Sequence, residues 1–197
     1  MALKCLVINR PERSDRRIAM EKHLTGMGLE WEMIPALNSH VPAGGFQNLS
    51  TRGIFWNHLE CWERIAKDRR RYLILEDDAR ILDLGKVEER YTTVITIPVW
   101  HALYLYGGDT WLPRIHAGAT HGYFINPDRA PEMVRMLIQQ EREIYTTGKK
   151  DWQSHIDHWL DQKIWRAGWR CHGSEELIVQ EAGWGSDTGW RQGRVEP

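Results

Sequence analysis

The sequence feature that most constrains the fold is a short apolar run that ends in three consecutive acids, Tyr72-Leu73-Ile74-Leu75-Glu76-Asp77-Asp78. The four residues before the acids are apolar or aromatic, include good strand formers and directly follow a basic stretch at residues 67–71. They predict a short strand that is buried on both faces, as in the middle of a parallel sheet. In an open α/β sheet, ligands bind just beyond the carboxyl ends of the strands. The sequence therefore predicts three carboxylates at the ligand-binding edge of such a sheet.

Three adjacent carboxylates repel one another and lose hydration on burial unless something neutralises their charge. A divalent hard cation is the simplest neutraliser, because Mg²⁺ and Mn²⁺ prefer oxygen ligands. Mg²⁺ commonly keeps one or two carboxylates and fills the rest of its shell with substrate phosphates. The triplet therefore suggests a metal ion and a phosphorylated ligand. The alternative is a solvated acidic turn that opens the next helix, where acids favour the first turn.

Length and composition indicate one α/β domain of ordinary charge. The chain has 197 residues, which suffices for a single domain over residues 1–197 but not for two full-sized domains. A formal net charge of −1 provides no overall field that would recruit nucleic acid or a membrane. No apolar run approaches transmembrane length, and the N-terminus lacks an apolar signal-peptide core. Three cysteines without CxxC spacing argue against a disulfide framework or a zinc site, so we expect a cytoplasmic protein.

Predicted strands alternate with predicted helices, which is typical of an α/β fold with a mostly parallel sheet. Besides residues 72–75, strands are predicted at Leu3–Asn9, Leu29–Ala36, Trp100–Tyr106, Gly122–Ile125 and within Cys171–Val179. Helices are predicted from a cap at Ser14 or Asp15 to Gly26, from a cap at Thr51, after Pro127-Asp128, and over Asp151–Trp165. Residues 81–87 fit a loop or a short helix, and residues 91–97 fit a strand or a helix end. The glycine-rich tail, residues 183–197, is expected to be mobile.

Several short motifs follow one another in a defined order between residues 3 and 190. They are Val7-Ile8-Asn9 with Asp15-Arg16-Arg17, Met33-Ile34-Pro35-Ala36, the stretch from Gly53 to Trp62, Leu73 to Asp78, Gly118 to Ile125, His155-Ile156-Asp157, and Val179-Gln180 with Ser186-Asp187. In this order they resemble glycosyltransferase family 25, the lipooligosaccharide and procollagen-galactosyltransferase-like group. The match to that family's "vLEDD" strand is close.

The resemblance implies a GT-A-type, Rossmann-like nucleotide-sugar-binding fold with Mn²⁺ or Mg²⁺ at a DXD-like motif. It also implies inverting transfer of a hexose from a donor such as a UDP-sugar to a hydroxyl acceptor such as a saccharide. In such a reaction a metal stabilises the departing diphosphate as a Lewis acid. Asp78 is the first choice for a metal ligand and Glu76 the next, whereas Asp77 either faces the donor ribose or holds the loop.

The loop after the first strand is the expected nucleotide site. Asn9 ends that strand and Arg10, Arg16 and Arg17 follow it, where GT-A folds receive the nucleotide. Arginine suits bidentate phosphate contact, and Arg17 matches the family's second arginine. Four arginines stand in this loop and cannot all touch one ligand, so a solvated helix start is the alternative.

The second half of the chain is expected to supply the base and a lid. Asp157 matches the family's late aspartate and would deprotonate the acceptor hydroxyl, with Asp151 as the alternative. Ser186 and Asp187 in the tail could close over the diphosphate. His58 lies on a helix that faces the acidic strand by family position. A lone histidine on an apolar face is more often structural.

Two other functions compete with sugar transfer to a saccharide. One is a glycosyltransferase that acts on modified nucleic-acid bases, which the arginine clusters and 11 tryptophans make conceivable because bases stack on aromatic rings. The near-neutral net charge disfavours it. The other is a protein that binds nucleotide sugars without transferring them, and the intact acidic triplet weighs against that function.

Overall fold

The computed structural model describes residues 3–36, 49–105, 120–147, 156, 168–173 and 176–180. The elements in chain order are β1 (Lys4–Asn9), α1 (Ser14–Gly26), β2 (Glu30–Pro35), α2 (Leu49–Asp68), β3 (Tyr72–Glu76), β4 (Ala79–Ile81), α3 (Leu84–Val94), β5 (Ala102–Tyr104), β6 (Gly122–Ile125), α4 (Ala130–Thr147), β7 (Cys171–Gly173) and β8 (Ile178–Gln180). In this part of the chain, no helix combines the length and apolarity needed to cross a membrane. All three cysteines are free thiols.

The central sheet has six strands in the order β2-β1-β3-β6-β5-β7. β1 pairs in parallel with β2 and β3, and β5 pairs in parallel with β7. β6 runs antiparallel to both of its neighbours, β3 and β5. A separate two-stranded antiparallel sheet joins β4 to β8. The predicted α/β class with a mostly parallel sheet is confirmed, because β6 alone among the six strands runs against the others.

Helices cover both faces of the sheet. One hydrophobic core lies under α2 and α4 and includes Phe55, Trp62 and Met133. The other lies under α1 and α3 and includes Leu24 and Val87. Side chains of a strand alternate between its faces, so each central strand contributes to both cores. This two-sided cover is what lets the sheet bury continuous apolar strands.

β3 is the strand that the acidic run predicts, and it is buried on both faces as expected. Tyr72 and Ile74 point into the core under α2, whereas Leu73 and Leu75 point into the core under α1. The strand ends at Glu76, and the chain then turns directly into β4. The alternative that the acids open the next helix is therefore wrong: α3 begins only at Leu84, where Asp83 caps it by accepting a hydrogen bond from the Lys86 amide at 3.0 Å.

Several element boundaries differ from the sequence-based predictions. α1 begins at Ser14 without a side-chain cap from Ser14 or Asp15, and α2 begins before Thr51 rather than at it. The ambiguous stretch at residues 91–97 is the end of α3. The last predicted strand divides into β7 and β8, which belong to different sheets. The predicted helix over residues 151–165 lies outside the described residues except for Ile156, and the tail at 183–197 lies wholly outside them.

Gly122, the first residue of β6, is packed too closely for a larger side chain. A Cβ at this position would lie 2.3 Å from Ile178 Cδ1 and 3.2 Å from Leu75 Cδ2. Both neighbours are buried in the core under α1. The close approach brings β8 against the junction of β3 and β6, next to the acidic triplet.

We predict that Gly122→Ala lowers the free energy of unfolding by about 1–3 kcal/mol, the usual cost of overpacking a core. Equilibrium urea unfolding measures the change. Gly26→Ala is the control, because a Cβ at Gly26 meets nothing within 4 Å. Ile178→Val removes the clashing Cδ1 and should recover part of the loss in the double variant. A Gly122→Ala protein as stable as Gly26→Ala would contradict this packing.

Candidate functional site

The candidate site lies at the carboxyl edge of the central sheet, where four segments of the chain meet. β1 ends there at Asn9 and β3 at Glu76. Because β6 runs antiparallel, it begins at this edge, and the Glu76 amide donates to the His121 carbonyl at 3.1 Å. β8 brings Gln180 to the same place through its pairing with β4, in which Gln180 lies opposite Ala79. Residues far apart in sequence therefore surround the acidic triplet.

Glu76, Asp78 and His121 form a compact group of potential metal ligands. One ligand atom from each lies within 4.8 Å of the other two. His121 Nδ1 is 3.2 Å from Glu76 Oε2 and 3.3 Å from Asp78 Oδ1. Two carboxylates and one imidazole therefore lie close enough to share one ion, and the predicted metal-ligand roles of Glu76 and Asp78 stay predictions.

The electrostatics of this group favour a positive charge between the two carboxylates. Burial alone would lower the pKa of His121, but Asp78 and Glu76 outweigh it and raise that pKa to about 10. Burial likewise acts to raise the pKa of Glu76, yet His121 and then His58 hold it well below its usual range. Glu76 and His121 therefore each stabilise the charged form of the other.

Asp77 faces away from this group and holds the loop after β1. Its Oδ2 accepts hydrogen bonds from Asn9 Nδ2 at 2.8 Å and from the Arg10 amide at 3.4 Å. Its Oδ1 accepts from Arg16 Nη1 at 2.8 Å, and both of these side chains are less than a tenth exposed. Burial raises the pKa of Asp77, with Arg16 and Asn9 opposing the shift. Two alternative roles are expected for Asp77, and these contacts fit the one in which it holds the loop. A contact between Asp77 and a donor ribose stays a prediction.

Asp78 has one oxygen anchored and one directed at His121. Its Oδ2 accepts from Gln180 Nε2 at 2.9 Å and lies 3.4 Å from Arg16 Nη1. This leaves Oδ1, which is buried, to face His121. Arg16 therefore joins two of the three acids to α1, and its guanidinium balances part of their charge.

The remaining predicted nucleotide-binding residues lie at different distances from the acids. Arg10 is half-buried beside Asp77 and its guanidinium lies 3.8 Å from Glu12. Arg17 is on the exposed side of α1, paired with Glu21 at 2.8 Å. The proposed base residues Asp151 and Asp157, and the tail residues Ser186 and Asp187, lie outside the described residues, so their roles stay predictions.

Two residues of the site, Thr120 and His121, carry no role in the sequence-based prediction. The Thr120 hydroxyl donates to Glu76 Oε1, and His121 completes the ligand group. They precede β6 directly, and their position in sequence would have indicated the site only if β6 were known to lie antiparallel beside β3. His58, expected to be structural, is fully buried with Nε2 3.5 Å from Glu76 Oε1.

Comparisons with known proteins support the fold. No model of a protein family matches the chain, and no curated protein matches its sequence. The structure is similar to that of a glycosyltransferase involved in the glycosylation of the major capsid of PBCV-1, with a TM-score of 0.53 and 9% identity over 94% of this chain and 95% of that chain. Mouse xyloside xylosyltransferase 1 in its apo form matches with a TM-score of 0.40 and 12% identity, over 92% of this chain and 85% of that chain. CMP:2-keto-3-deoxy-manno-octonic acid synthetase complexed with CTP matches with a TM-score of 0.42 and 10% identity, over 89% of this chain and 90% of that chain.

At such identities the likeness shows the fold alone, and the two TM-scores below 0.5 carry no argument. The predicted GT-A-type fold is confirmed by the first of these structures together with the strand order. Membership of family 25 stays a prediction.

The buried contact between Arg16 and Asp77 generates a prediction about stability. Asp77→Ala removes the buried 2.8 Å ion pair with the guanidinium of Arg16, so the free energy of unfolding should fall by about 3 kcal/mol, the cost of breaking a buried ion pair. Asp15→Ala removes an exposed partner of Arg13 and should change stability little. Urea unfolding of both variants measures the change in the free energy of unfolding. Equal losses in Asp77→Ala and Asp15→Ala would show that Asp77 does not hold the loop.

Proposed function

We propose that this protein is a metal-dependent inverting glycosyltransferase, a member of family 25, that moves a hexose from a nucleotide sugar, such as a UDP-sugar, to a hydroxyl acceptor such as a saccharide. The observation that carries the proposal is the convergence of Glu76, Asp78 and His121 at the carboxyl edge of a GT-A-type sheet. Ligands of open α/β sheets bind at this edge. In this proposal, a phosphorylated ligand and a cation bind together at this edge, next to Glu76 and Asp78.

The residues present fit a divalent cation. Carboxylate oxygens suit Mg²⁺ and Mn²⁺, and an added imidazole nitrogen favours the transition metal over Mg²⁺. Glu76 Oε2, Asp78 Oδ1 and His121 Nδ1 are the atoms that would hold the ion, which would take the place of the proton on His121 Nδ1. When bound, such an ion supplies Lewis-acid stabilisation of the negative charge that grows on the departing diphosphate.

The loop after β1 supplies the positive charge that this chain itself brings to the diphosphate. Arg10 fits that role best, because it follows Asn9 at the sheet edge and is half-buried beside Asp77. Arg17 can approach only from the exposed side of α1. Arg16, buried between two acids, keeps the loop in register with β3, and Asn9 and Asp77 complete that support. Bidentate contact with phosphate is the property that makes arginine suitable here.

The second half of the chain completes the reaction. In inverting transfer, a carboxylate removes the proton of the acceptor hydroxyl. The acceptor oxygen then bonds to the anomeric carbon of the sugar while the diphosphate departs from the opposite face. Asp157 is the proposed base and Asp151 its alternative. Ser186 and Asp187 are proposed to close over the bound diphosphate, which would exclude water from the bond being broken.

The first test measures coupling between metal and nucleotide. Wild-type protein should bind UDP about 10- to 100-fold more tightly with Mn²⁺ than with EDTA, because a shared ion couples the two ligands. Asp78→Asn keeps the side-chain shape and should lose this coupling and sugar transfer while its thermal unfolding stays cooperative. Asp83→Asn, which removes an acid but preserves the cap of α3, is the control. Equal UDP affinity with Mn²⁺ and with EDTA in calorimetry would contradict the metal assignment.

The second test concerns the proposed base. Asp157→Asn keeps size and shape but cannot accept the proton, so kcat should fall about 10²- to 10⁴-fold while UDP affinity stays near that of the wild type. UDP release from a UDP-hexose in the presence of a saccharide acceptor measures the rate. Asp151→Asn is the comparison, since six residues span about 600° on the predicted helix and the two side chains point to different sides. Loss of turnover in Asp151→Asn alone would reassign the base.

A further inference from the structure

A buried chain of polar groups lies directly beneath Glu76, between α2 and the sheet. It consists of Trp62, Tyr123 and His58, each fully buried in the core under α2 and α4. Polar atoms in such a place are costly unless they are hydrogen-bonded, so their contacts with one another are strongly determined. Tyr123 Oη lies 2.9 Å from Trp62 Nε1 and 2.7 Å from His58 Nδ1.

The direction of these hydrogen bonds follows from the chemistry of the groups. The Trp62 indole N–H can only donate, so Tyr123 Oη accepts from it. The phenol then has its own proton to donate, and His58 Nδ1 is the acceptor that it faces. His58 Nδ1 is therefore the unprotonated nitrogen of the ring, and the proton of the neutral ring lies on Nε2.

The protonated nitrogen faces the metal-ligand group. His58 Nε2 is buried, has no hydrogen-bond partner within hydrogen-bonding geometry in the described part of the chain, and lies 3.5 Å from Glu76 Oε1. The Thr120 hydroxyl donates to the same oxygen. Glu76 Oε1 is thus held by the Thr120 hydroxyl and approached by His58 Nε2, and Glu76 Oε2 lies 3.2 Å from His121 Nδ1.

Asp78 shows the same division on the opposite side of the group. Its Oδ2 is anchored by Gln180 and Arg16, and its Oδ1 faces His121. In both Glu76 and Asp78, one carboxylate oxygen is therefore held by neighbouring side chains and the other faces His121. Removing a partner that fixes the orientation of a metal ligand commonly lowers metal affinity about 10- to 100-fold.

We propose that His58, held as the Nε2–H tautomer by Tyr123 and Trp62, is the positioning residue that orients Glu76 for a divalent cation. The inference rests on the proposed function for the cation, but the tautomer itself does not. His58 does not touch the reacting groups and acts only through Glu76.

Two substitutions at His58 separate positioning from packing. The amide nitrogen of glutamine can take the place of ring Nε2, whereas that of asparagine reaches only the place of Nδ1. We expect His58→Asn to weaken Mn²⁺ binding about 10- to 100-fold and His58→Gln to retain part of the affinity. Tyr123→Phe removes the group that fixes the tautomer and should weaken Mn²⁺ binding as well. Titration with Mn²⁺ alone, followed by calorimetry, provides this readout without any sugar donor.

Ile65→Val is the matched control, because Ile65 is fully buried on α2 in the same core and is not part of the polar chain. It should lose stability in urea unfolding yet bind Mn²⁺ as the wild type does. Equal Mn²⁺ affinity in His58→Asn, His58→Gln and the wild type would overturn the proposal. So would a loss of affinity in Ile65→Val equal to that in His58→Asn, since the effect would then come from packing.

Nitrogen-15 NMR of the histidine side chains tests the tautomer on the unaltered protein, so the proposal does not depend on whether a variant folds. A proton on His58 Nε2, with Nδ1 accepting a hydrogen bond, supports it. A proton on Nδ1 together with intact Mn²⁺ binding would overturn the role of His58 and leave the proposed function standing. A wild-type protein that binds no Mn²⁺ would contradict the proposed function as well as the positioning of Glu76 for a cation.

Discussion

The structure depends on the neutralisation of three carboxylates that are packed together at the end of a buried strand. Asp77 and Asp78 are almost fully buried, and the Glu76 side chain is 24% exposed. Such a group is stable only if positive charge and hydrogen-bond donors reach it. Arg16 from α1 and His121 from the start of β6 provide the charge. Removing either would leave buried acids uncompensated, so the acids determine how these elements come together.

The three acids divide their tasks by the direction in which each side chain points. Asp77 turns toward β1 and binds Asn9, Arg10 and Arg16. Glu76 and Asp78 turn toward His121 and share one point with it. The three adjacent acids thus have two roles. Asp77 supports the loop after β1, and Glu76 and Asp78 supply potential ligand atoms. The support places the loop beside the ligand atoms, which is the arrangement that the proposed nucleotide-sugar site needs.

Local pattern was enough to predict much of this protein, for a physical reason. A short apolar run bounded by charged residues is typical of a buried strand, and β3 has the position and burial expected. The strand Gly122–Ile125 was predicted with its observed bounds, and α1 with its end at Gly26, although its predicted cap at Ser14 or Asp15 is not observed. Acids that follow a central strand lie at its carboxyl edge, where Glu76 and Asp78 are found, and their metal-ligand roles stay predictions.

Only the tertiary structure decided which residues join those acids. His121 reaches Glu76 because β6 runs antiparallel beside β3, and strand order is not written in local periodicity. Gln180 reaches Asp78 because β8 pairs with β4, although the two are nearly a hundred residues apart. His58 changes from an ordinary core histidine to a partner of Glu76 through the same packing. The sequence by itself determined the acids and the strand that carries them, whereas long-range strand pairing decided their partners, since hydrogen bonds between distant strands depend on the whole fold.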